Sequence, residues 1–405
     1  MEVKKGYKQT EIGIIPEDWE VYKIYDICSL SKKRYNPKLS KEVYKCIELE
    51  HLSQETGRLL DYCFSDQQFS IKSFFEKEDV LFGKLRPYLK KFYYAEINGV
   101  CSTEIWVLKS KTHILSKYLY YLIQTKIILD AANQSTGTKM PRADWNFISN
   151  ILVFLPPLTE QTAIANALSD IDALIESLEK LITKKCNIKQ GAMQQLLTGK
   201  KRLPGFKSEW KTTKLSDLGF FRSGNGFPLK FQGFFDGKYP FFKVSDMNIK
   251  ENKIYLVKAN NLIDEDIKNT IYAYVFPRNT IVFAKIGAAI FLERKKMLFK
   301  NSCIDNNMMG FVYNENIVNS YYIYLVFHSI KLSKLISVTA LPSLNAKDIG
   351  KIEFYIPPLP EQTAIAEVLS DMDSEIEALE KKLDKYKKVK QGMMQELLTG
   401  KKRLI

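Results

Sequence analysis

Three arginines and three asparagines in this chain have side chains that match the edges of nucleobases. Arg86, Arg142 and Arg222 each present a planar fork of N–H donors, the shape that meets guanine O6 and N7 side by side. Asn306, Asn307 and Asn345 each offer one donor beside one acceptor, which matches adenine N6 and N7. Around them lie groups suited to phosphate oxygens, which position a protein on a nucleic acid without reading it. These are Lys84, Lys90 and Lys91 in "KLRPYLKKFYY" (84–94), Ser223 in "FFRSGNGFPLKFQG" (220–233), and Lys243 in "YPFFKVS". Lys285 follows "NTIVFA", and Arg294 and Lys295 lie in "ERKKMLFK" (293–300). Thr138 and Lys139 fall in "NQSTGTKMPRADW" (133–145), and Ser343 in "SVTALPSLNAKD" (337–348). The alternative for each stretch is a solvated surface, and for the last two a simple connection.

The elements that must hold these residues come in two sets. "EDVLFGKLRPY" (78–88) aligns with "NTIVFAKIGAA" (279–289) at an offset of 201, each placing a β-prone run before a turn with Lys84 or Lys285. Short runs such as "KFYYAEI", "EIWVLKS", "YPFFKVS" and "MMGFVY" read as further strands. "LSKYLYYLIQTKIILDAA" (115–132) and "VNSYYIYLVFHSIKLSKLI" (318–336) read as helices. The pattern predicts two α+β domains of similar fold, over 20–155 and 204–356, the second including its leader.

The same offset joins two far more similar segments. "PPLTEQTAIANALSDIDALIESLEK" begins at 156 and "PPLPEQTAIAEVLSDMDSEIEALEK" at 357, and from 155 to 203 about two-thirds of positions are identical to 356–404. This is an internal duplication, too widely spaced for a solenoid. Each copy predicts a long helix, over 156–203 and 357–405. Glu160 and Glu361 fall in the first turn, at the positive end of the dipole, with Thr159 as N-cap in one copy and Pro360 at the first helical position in the other. Gly199 and Gly400 mark the ends. Ile164, Leu168, Ile171, Ile175, Leu178 and Ile182 step by fours and threes, as do Ile365, Leu369, Met372, Ile376, Leu379 and Leu383. That is a coiled-coil seam, and it predicts that the two helices pack on each other rather than each on its own domain. At roughly 39 residues each would be about 58 Å long. Trp19, Lys23 and Asp26 recur as Trp210, Lys214 and Asp217 at an offset of 191, so 1–19 reads as a leader that completes the pseudo-repeat. Antiparallel helices would close the chain into a pseudo-twofold, circular arrangement.

Composition narrows the partner. Sixty basic against 46 acidic residues give a net charge of +14 and a pI near 9.2, which favours a polyanion. The sequence has no eighteen-residue apolar run and no secretory h-region, so no membrane association is expected. Six cysteines without a C-x-x-C pair read as reduced thiols of a cytoplasmic protein, and three histidines leave little for metal or acid–base chemistry. "LPPL" and "IPPL" keep only the prolines of the Asn/Asp-Pro-Pro-aromatic tetrad of an amino-methyltransferase. "GTKMP" and "TGKKRL" lack the spacing of a phosphate loop. The chain reads as one that recognises and positions, with no catalytic residue and no metal or cofactor of its own.

The paired "PPL.EQTAIA…LLTGKKRL" segments, the leader "YKQTEIGIIPEDWEVYKI" and "LFGKLRPYLKKFYYAEINGVCSTEIWVL" resemble the specificity subunits of type I restriction-modification enzymes, over essentially the whole chain. "YPFFKVSDM" and "FAKIGAAIFLE" are similar to that family too. The resemblance implies two target recognition domains, each reading half of a split site in double-stranded DNA. It implies a helix pair that fixes the unread spacer and docks two methyltransferase subunits, with motor-nuclease subunits joining for restriction. S-adenosylmethionine, ATP and Mg would then sit on those partners, and adenine would be the methylated base. The Trp-to-Pro-Pro distance is 147 residues in the second block against 137 in the first, so an asymmetric site is expected. Rival readings are the specificity region of a fused methyltransferase-nuclease, a coiled-coil scaffold, and an RNA-binding protein. A scaffold would bind its partner independently of salt, and an RNA-binding protein would be expected to show stacking motifs that are absent from this sequence.

Overall fold

The computed structural model describes residues 5–134, 140–336 and 342–404. The duplicated segments are helices of 39 residues each, Leu158–Leu196 and Leu359–Leu397. The first starts two residues before the place that Thr159 as N-cap would set, and the second one residue before Pro360. The Pro157 carbonyl accepts from the N–H groups of Glu160 (3.0 Å) and Gln161 (3.0 Å), and Pro358 does the same for Glu361 and Gln362. Thr159 therefore lies inside the first turn and Pro360 is the second helical residue, because a proline, having no N–H to lose, can itself form the boundary. At the other end Gly199 (φ +68°) and Gly400 (φ +69°) take the left-handed conformation that stops a helix. A Cβ on Gly199 would lie 3.4 Å from the Trp210 ring, and one on Gly400 3.4 Å from Trp19.

The chain divides into two units, residues 1–180 with 381–405, and residues 181–380. In the first, an antiparallel sheet runs in the order Phe92–Tyr94, Val80–Gly83, Ile105–Ser110, Cys28–Leu30. In the second, Lys295–Leu298, Ile281–Ala284, Met308–Tyr313 and Gly219–Ser223 repeat that order, with Tyr255–Leu256 added in parallel. Both sheets are covered on both faces, which is why "VLFG" and "IVFA" are wholly buried runs. Val80 and Phe82 face the core under the helix Ser116–Leu122, whereas Leu81 faces a second core with Ile47, Phe75 and Cys101. Ile281, Phe283 and Val282 divide in the same way. The second sheet of unit 1 orders Arg34–Tyr35, Lys72–Phe75, Gly99–Cys101, Lys45–Ile47 and Cys63–Phe64, and that of unit 2 orders Leu262–Ile263, Tyr239–Phe242 and Cys303–Ile304. The expected α+β architecture with two like domains is the one found. The stretch 115–132 is two helices, Ser116–Leu122 and Lys126–Ala132, and 318–336 is Ser320–Ser329 followed by a 3-10 turn.

The seam serves both domain and helix. Ile164 and Leu168 sit in the first domain's core together with Leu397, Leu398 and Met394, and Ile365 and Leu369 sit in the second with Leu196, Leu197 and Met193. Ile171, Ile175, Leu178 and Ile376 are buried, while Ile182, Met372, Leu379 and Leu383 are half-buried. Within each unit the helical segments run antiparallel. Lys390 lies 2.6 Å from Asp172 and Lys387 2.8 Å from Glu179; Lys185 lies 2.6 Å from Glu375, and Lys189 contacts Asp373. Tyr121 donates to Asp172 at 3.0 Å, and Tyr321 donates to Asp373. The second aspartate of "SDIDAL" and of "SDMDSE" thus ties domain helix, long helix and opposing lysine together.

The closure of each unit rests on a buried carboxylate. Glu160, wholly inaccessible, accepts from Trp19 Nε1 (3.0 Å) and from Arg403 Nε and Nη2 (2.9 and 2.7 Å). Arg403 also bonds both oxygens of Asp18 at 2.7 Å, and its guanidinium holds the Asp18 carboxyl below its usual range. Glu361 accepts from Trp210 Nε1 (3.1 Å) and from Arg202 Nε (2.8 Å) and Nη2. The neighbouring Gln161 bonds Leu115 N, His113 O and Pro156 O, and Gln362 bonds Asn319 N, Ile317 O and Pro357 O, pinning the preceding loop. Removing one partner of a buried ion pair costs about 3–5 kcal/mol because the other charge stays dry and uncompensated. Arg403→Ala is therefore expected to lower the stability of unit 1 by about 3 kcal/mol in thermal or urea unfolding. A loss below ~0.5 kcal/mol would contradict this account.

Candidate nucleic-acid interface

Three segments meet at one end of each main sheet, held by main-chain bonds that match between the domains. In domain 1, Lys84 N donates to Glu104 O (3.0 Å), Ala143 N to Lys84 O (2.9 Å) and Arg86 N to Pro141 O (2.8 Å). In domain 2, Lys285 N donates to Asn307 O (2.8 Å), Leu344 N to Lys285 O (2.9 Å) and Gly287 N to Pro342 O (2.8 Å). Leu85 bridges Arg142 as Ile286 bridges Ser343. A common backbone therefore carries different side chains, Arg86, Arg142 and Glu104 in one domain and Gly287, Ser343 and Asn307 in the other. Pro141 and Pro342 are themselves 201 residues apart, so the same offset relates these second loops too.

In domain 1 the loop pair brings Lys84, Arg86 and Arg142 together. Arg142 is clamped along one edge by Glu104, Nε to Oε2 at 2.9 Å and Nη2 to Oε1 at 3.2 Å, and those bonds raise its pKa further. Glu104 was not among the residues singled out from sequence, since a carboxylate carries no signal for a polyanion. Arg86 is exposed at φ +51°, a conformation costly for a side chain with a Cβ. Among the described residues, neither Arg86 nor Lys84 makes a side-chain hydrogen bond or ion pair. Lys90 pairs with Glu55 at 2.7 Å, and Lys91 turns inward to the Leu49 carbonyl, where burial lowers its pKa. Thr138 and Lys139 lie outside the described residues.

Domain 2 assembles Arg222, Ser223, Lys285, Asn306, Asn307 and Ser343. Lys285 Nζ donates to Ser223 Oγ at 2.8 Å, and the Arg222 guanidinium lies 4.0 Å from the centroid of the Tyr274 ring, a cation–π contact. Asn306 and Asn307 are exposed in the turn after Asp305. Lys243 donates to Gln232 Oε1 at 2.8 Å and Arg294 to Asn248 Oδ1, both apart from this cluster's bonds. Two candidates have other roles. Asn345 caps the helix Ala346–Gly350 by accepting from Lys347 N at 2.9 Å, as Asp144 does in domain 1, so its acceptor is occupied. Lys295 is 2% exposed, bound to Glu293 at 2.6 Å and to the Ile330 carbonyl at 2.9 Å. Burial lowers the Lys295 pKa, with Glu293 opposing. Burial would raise the Glu293 carboxyl, but hydrogen bonds from Lys295 and Ser333 hold it down to about 2. No group of three or more metal-binding side chains occurs among the described residues.

The family described as type I restriction modification DNA specificity domain matches the sequence twice, over residues 16–185 and 207–388. The chain belongs to this family. It is 27% identical over 440 residues to the type I restriction enzyme MjaVIII specificity subunit of Methanocaldococcus jannaschii, covering 99% of this chain and 97% of that one. The fold matches the type I restriction-modification S subunit from M. genitalium with a TM-score of 0.61 at 15% identity, over 98% of both chains. A chain from a study of type I restriction-modification assembly matches with a TM-score of 0.59 at 17% identity, over 95% of this chain and 99% of that one. Family members thus keep this fold at low identity, which accords with a shared backbone carrying variable loops. No helix among the described residues is long and apolar enough to cross a membrane.

One glycine holds the domain 2 cluster close. A Cβ on Gly224 would lie 2.2 Å from the carbonyl oxygens of both Ile304 and Asp305, directly before Asn306. Gly224→Ala is expected to push this turn outward at a cost of about 1–3 kcal/mol. Hydrogen exchange should show lost protection at Asn225, whose N–H bonds Ile304 O at 3.0 Å.

Proposed function

We infer that this chain is the DNA-specificity subunit of a type I restriction-modification system, in which each domain reads one half of a bipartite site. The observation that supports this most is the paired loop constellation, alike in main-chain bonding and in Lys84 and Lys285, but different in side chains at Arg86 and Gly287, Arg142 and Ser343, and Glu104 and Asn307. A scaffold has no need to hold different exposed polar groups on a duplicated frame. In domain 1, Lys84 is assigned to a phosphate, Arg86 to phosphate or base, and Arg142 to guanine. Glu104 occupies the Nε–Nη2 edge of Arg142, which leaves the Nη1–Nη2 edge for the two guanine acceptors. In domain 2, Lys285 is assigned to a phosphate and Arg222, Asn306 and Ser343 to base edges. The difference between the two sets predicts an asymmetric target.

The long helices are proposed to set the unread spacer and to offer their exposed faces to two methyltransferase subunits, with a motor-nuclease subunit completing the restriction complex. The chain by itself is proposed to be non-catalytic and cytoplasmic, with S-adenosylmethionine, ATP and Mg on the partners and adenine as the methylated base. The deciding experiment is a methylation map of DNA from cells expressing this chain with its methyltransferase. A split motif modified in both halves, one half changing when residues 20–155 are exchanged, is expected. A continuous motif, or one unaltered by the exchange, would favour the scaffold reading.

The residue assignments separate in binding measurements. Lys84→Ala should weaken binding to all duplexes alike and reduce the slope of log affinity against log salt by about 1. Arg142→Ala should cost about 1–3 kcal/mol on the specific site and relax selection at a single base pair.

A further inference from the structure

Tyr272 is the most exposed large apolar side chain among the described residues, at 87%. Its backbone does not favour it. The short helix Glu265–Thr270 ends through Ile271, and Tyr272 follows at φ +51°. Tyr272 N donates to Asn269 O at 3.2 Å and Ala273 N to Lys268 O at 2.9 Å, a Schellman-type closure. That place is normally taken by glycine or asparagine, and both long helices of this chain use glycine there. A bulky aromatic ring at a left-handed position is strained, and here burial returns nothing for it. Its flanking residues Ile271 and Ala273 pack inward, on the cluster of Phe241 and Ile263.

The strain is held by Asn225, which bonds both sides of this turn. Its Nδ2 donates to Tyr272 O at 2.9 Å and its Oδ1 accepts from Tyr274 N at 2.9 Å. Asn225 N in turn bonds Ile304 O, beside the turn that carries Asn306 and Asn307. Tyr274 is the ring beneath Arg222. The strained tyrosine is therefore fixed, through one asparagine, to the same group of residues that offers Arg222, Ser223 and Lys285.

We propose that Tyr272 contacts DNA through its ring, stacking on a base or against a base step at the edge of the half-site read by domain 2. This deepens the specificity-subunit reading and rests on it. The face of an aromatic ring suits a nucleobase of any sequence, and two residues further on the Arg222 guanidinium over Tyr274 offers a positive charge to a flanking phosphate. Insertion of an apolar or aromatic wedge beside a base step unstacks it, and the step most easily opened is then preferred.

The test uses the full-length chain assembled with its methyltransferase subunits, on a duplex carrying the mapped site with 2-aminopurine placed in turn along the second half-site. Wild type and Tyr272→Phe are expected to bind within about twofold of each other, both raising the fluorescence at one position by unstacking. Tyr272→Gly is expected to melt at a higher temperature, because the strain is relieved, yet to bind the site roughly tenfold or more weakly without the fluorescence rise. Should Tyr272→Gly prove poorly folded, Tyr272→Asn, which also tolerates the left-handed conformation, reads the same two quantities. A glycine or asparagine variant that binds as tightly as wild type overturns the proposal. So does one that keeps its DNA affinity but loses the methyltransferase subunits, which would make Tyr272 a protein contact. If wild type itself shows no preference for a split site, the specificity-subunit reading fails instead.

Discussion

A carboxylate without water must be neutralised in place, and this chain has two of them. Glu160 and Glu361 sit at the first turn of each long helix with essentially no solvent contact. An ion there is tolerable only if hydrogen-bond donors and an opposite charge surround it. The donors come from far along the sequence: a tryptophan from the leader and an arginine just past the end of the other copy of the helix. Meeting the needs of one side chain thus forces leader, helix start and helix end to a single point. Once they are there, the glutamine beside each glutamate seats the preceding loop, and the domain core closes over Tyr118 or Tyr322.

That constraint separates what is fixed from what is free. The segments that gather at the carboxylates are almost the same in both copies. The loops that meet at the end of each main sheet, by contrast, are joined by N–H and C=O groups, which every residue but proline has. Arg142 and Ser343 hold the same bridge, and so do Leu85 and Ile286. A side chain at such a position is chosen for what it faces, since the fold does not depend on it. Bonds made to the main chain, by other main-chain groups at Arg86 and also by the Asn225 side chain at Tyr272, explain how these two residues keep conformations their own side chains oppose.

Much of the fold was legible in the sequence because its signals were repeated. The offset of 201 located both long helices, both strand-to-turn segments bearing Lys84 and Lys285, and the likeness of the domains. The same repetition held the clue to the carboxylate sites, since Trp, Glu and Arg recur in both copies, but a first-turn glutamate ordinarily reads as a dipole partner. Nothing local distinguishes one that will be buried by an arginine 243 residues away. The cluster at the loops was legible in part. Positive charge pointed to Lys84, Arg86, Arg142, Arg222 and Lys285, but it also pointed to Lys295, which burial and Glu293 engage inside the domain. Asn345 has the chemistry of a base reader and equally that of a helix cap, and only the neighbouring N–H decides between them.

The dependence of unit 1 on residues 381–405 also sets a timetable. A chain is made from its N-terminus at about 5–20 residues per second. Arg403 therefore leaves the ribosome roughly 10–50 s after Glu160. In that interval Trp19 and the first sheet are already present, but the cation that lets the carboxylate go dry is not. Unit 2 has no such wait, for Arg202 and Trp210 both precede Glu361 in the order of synthesis. The domain translated first is thus the one completed last, and a nascent chain spends that time with a solvated acid at the place where its core will seal.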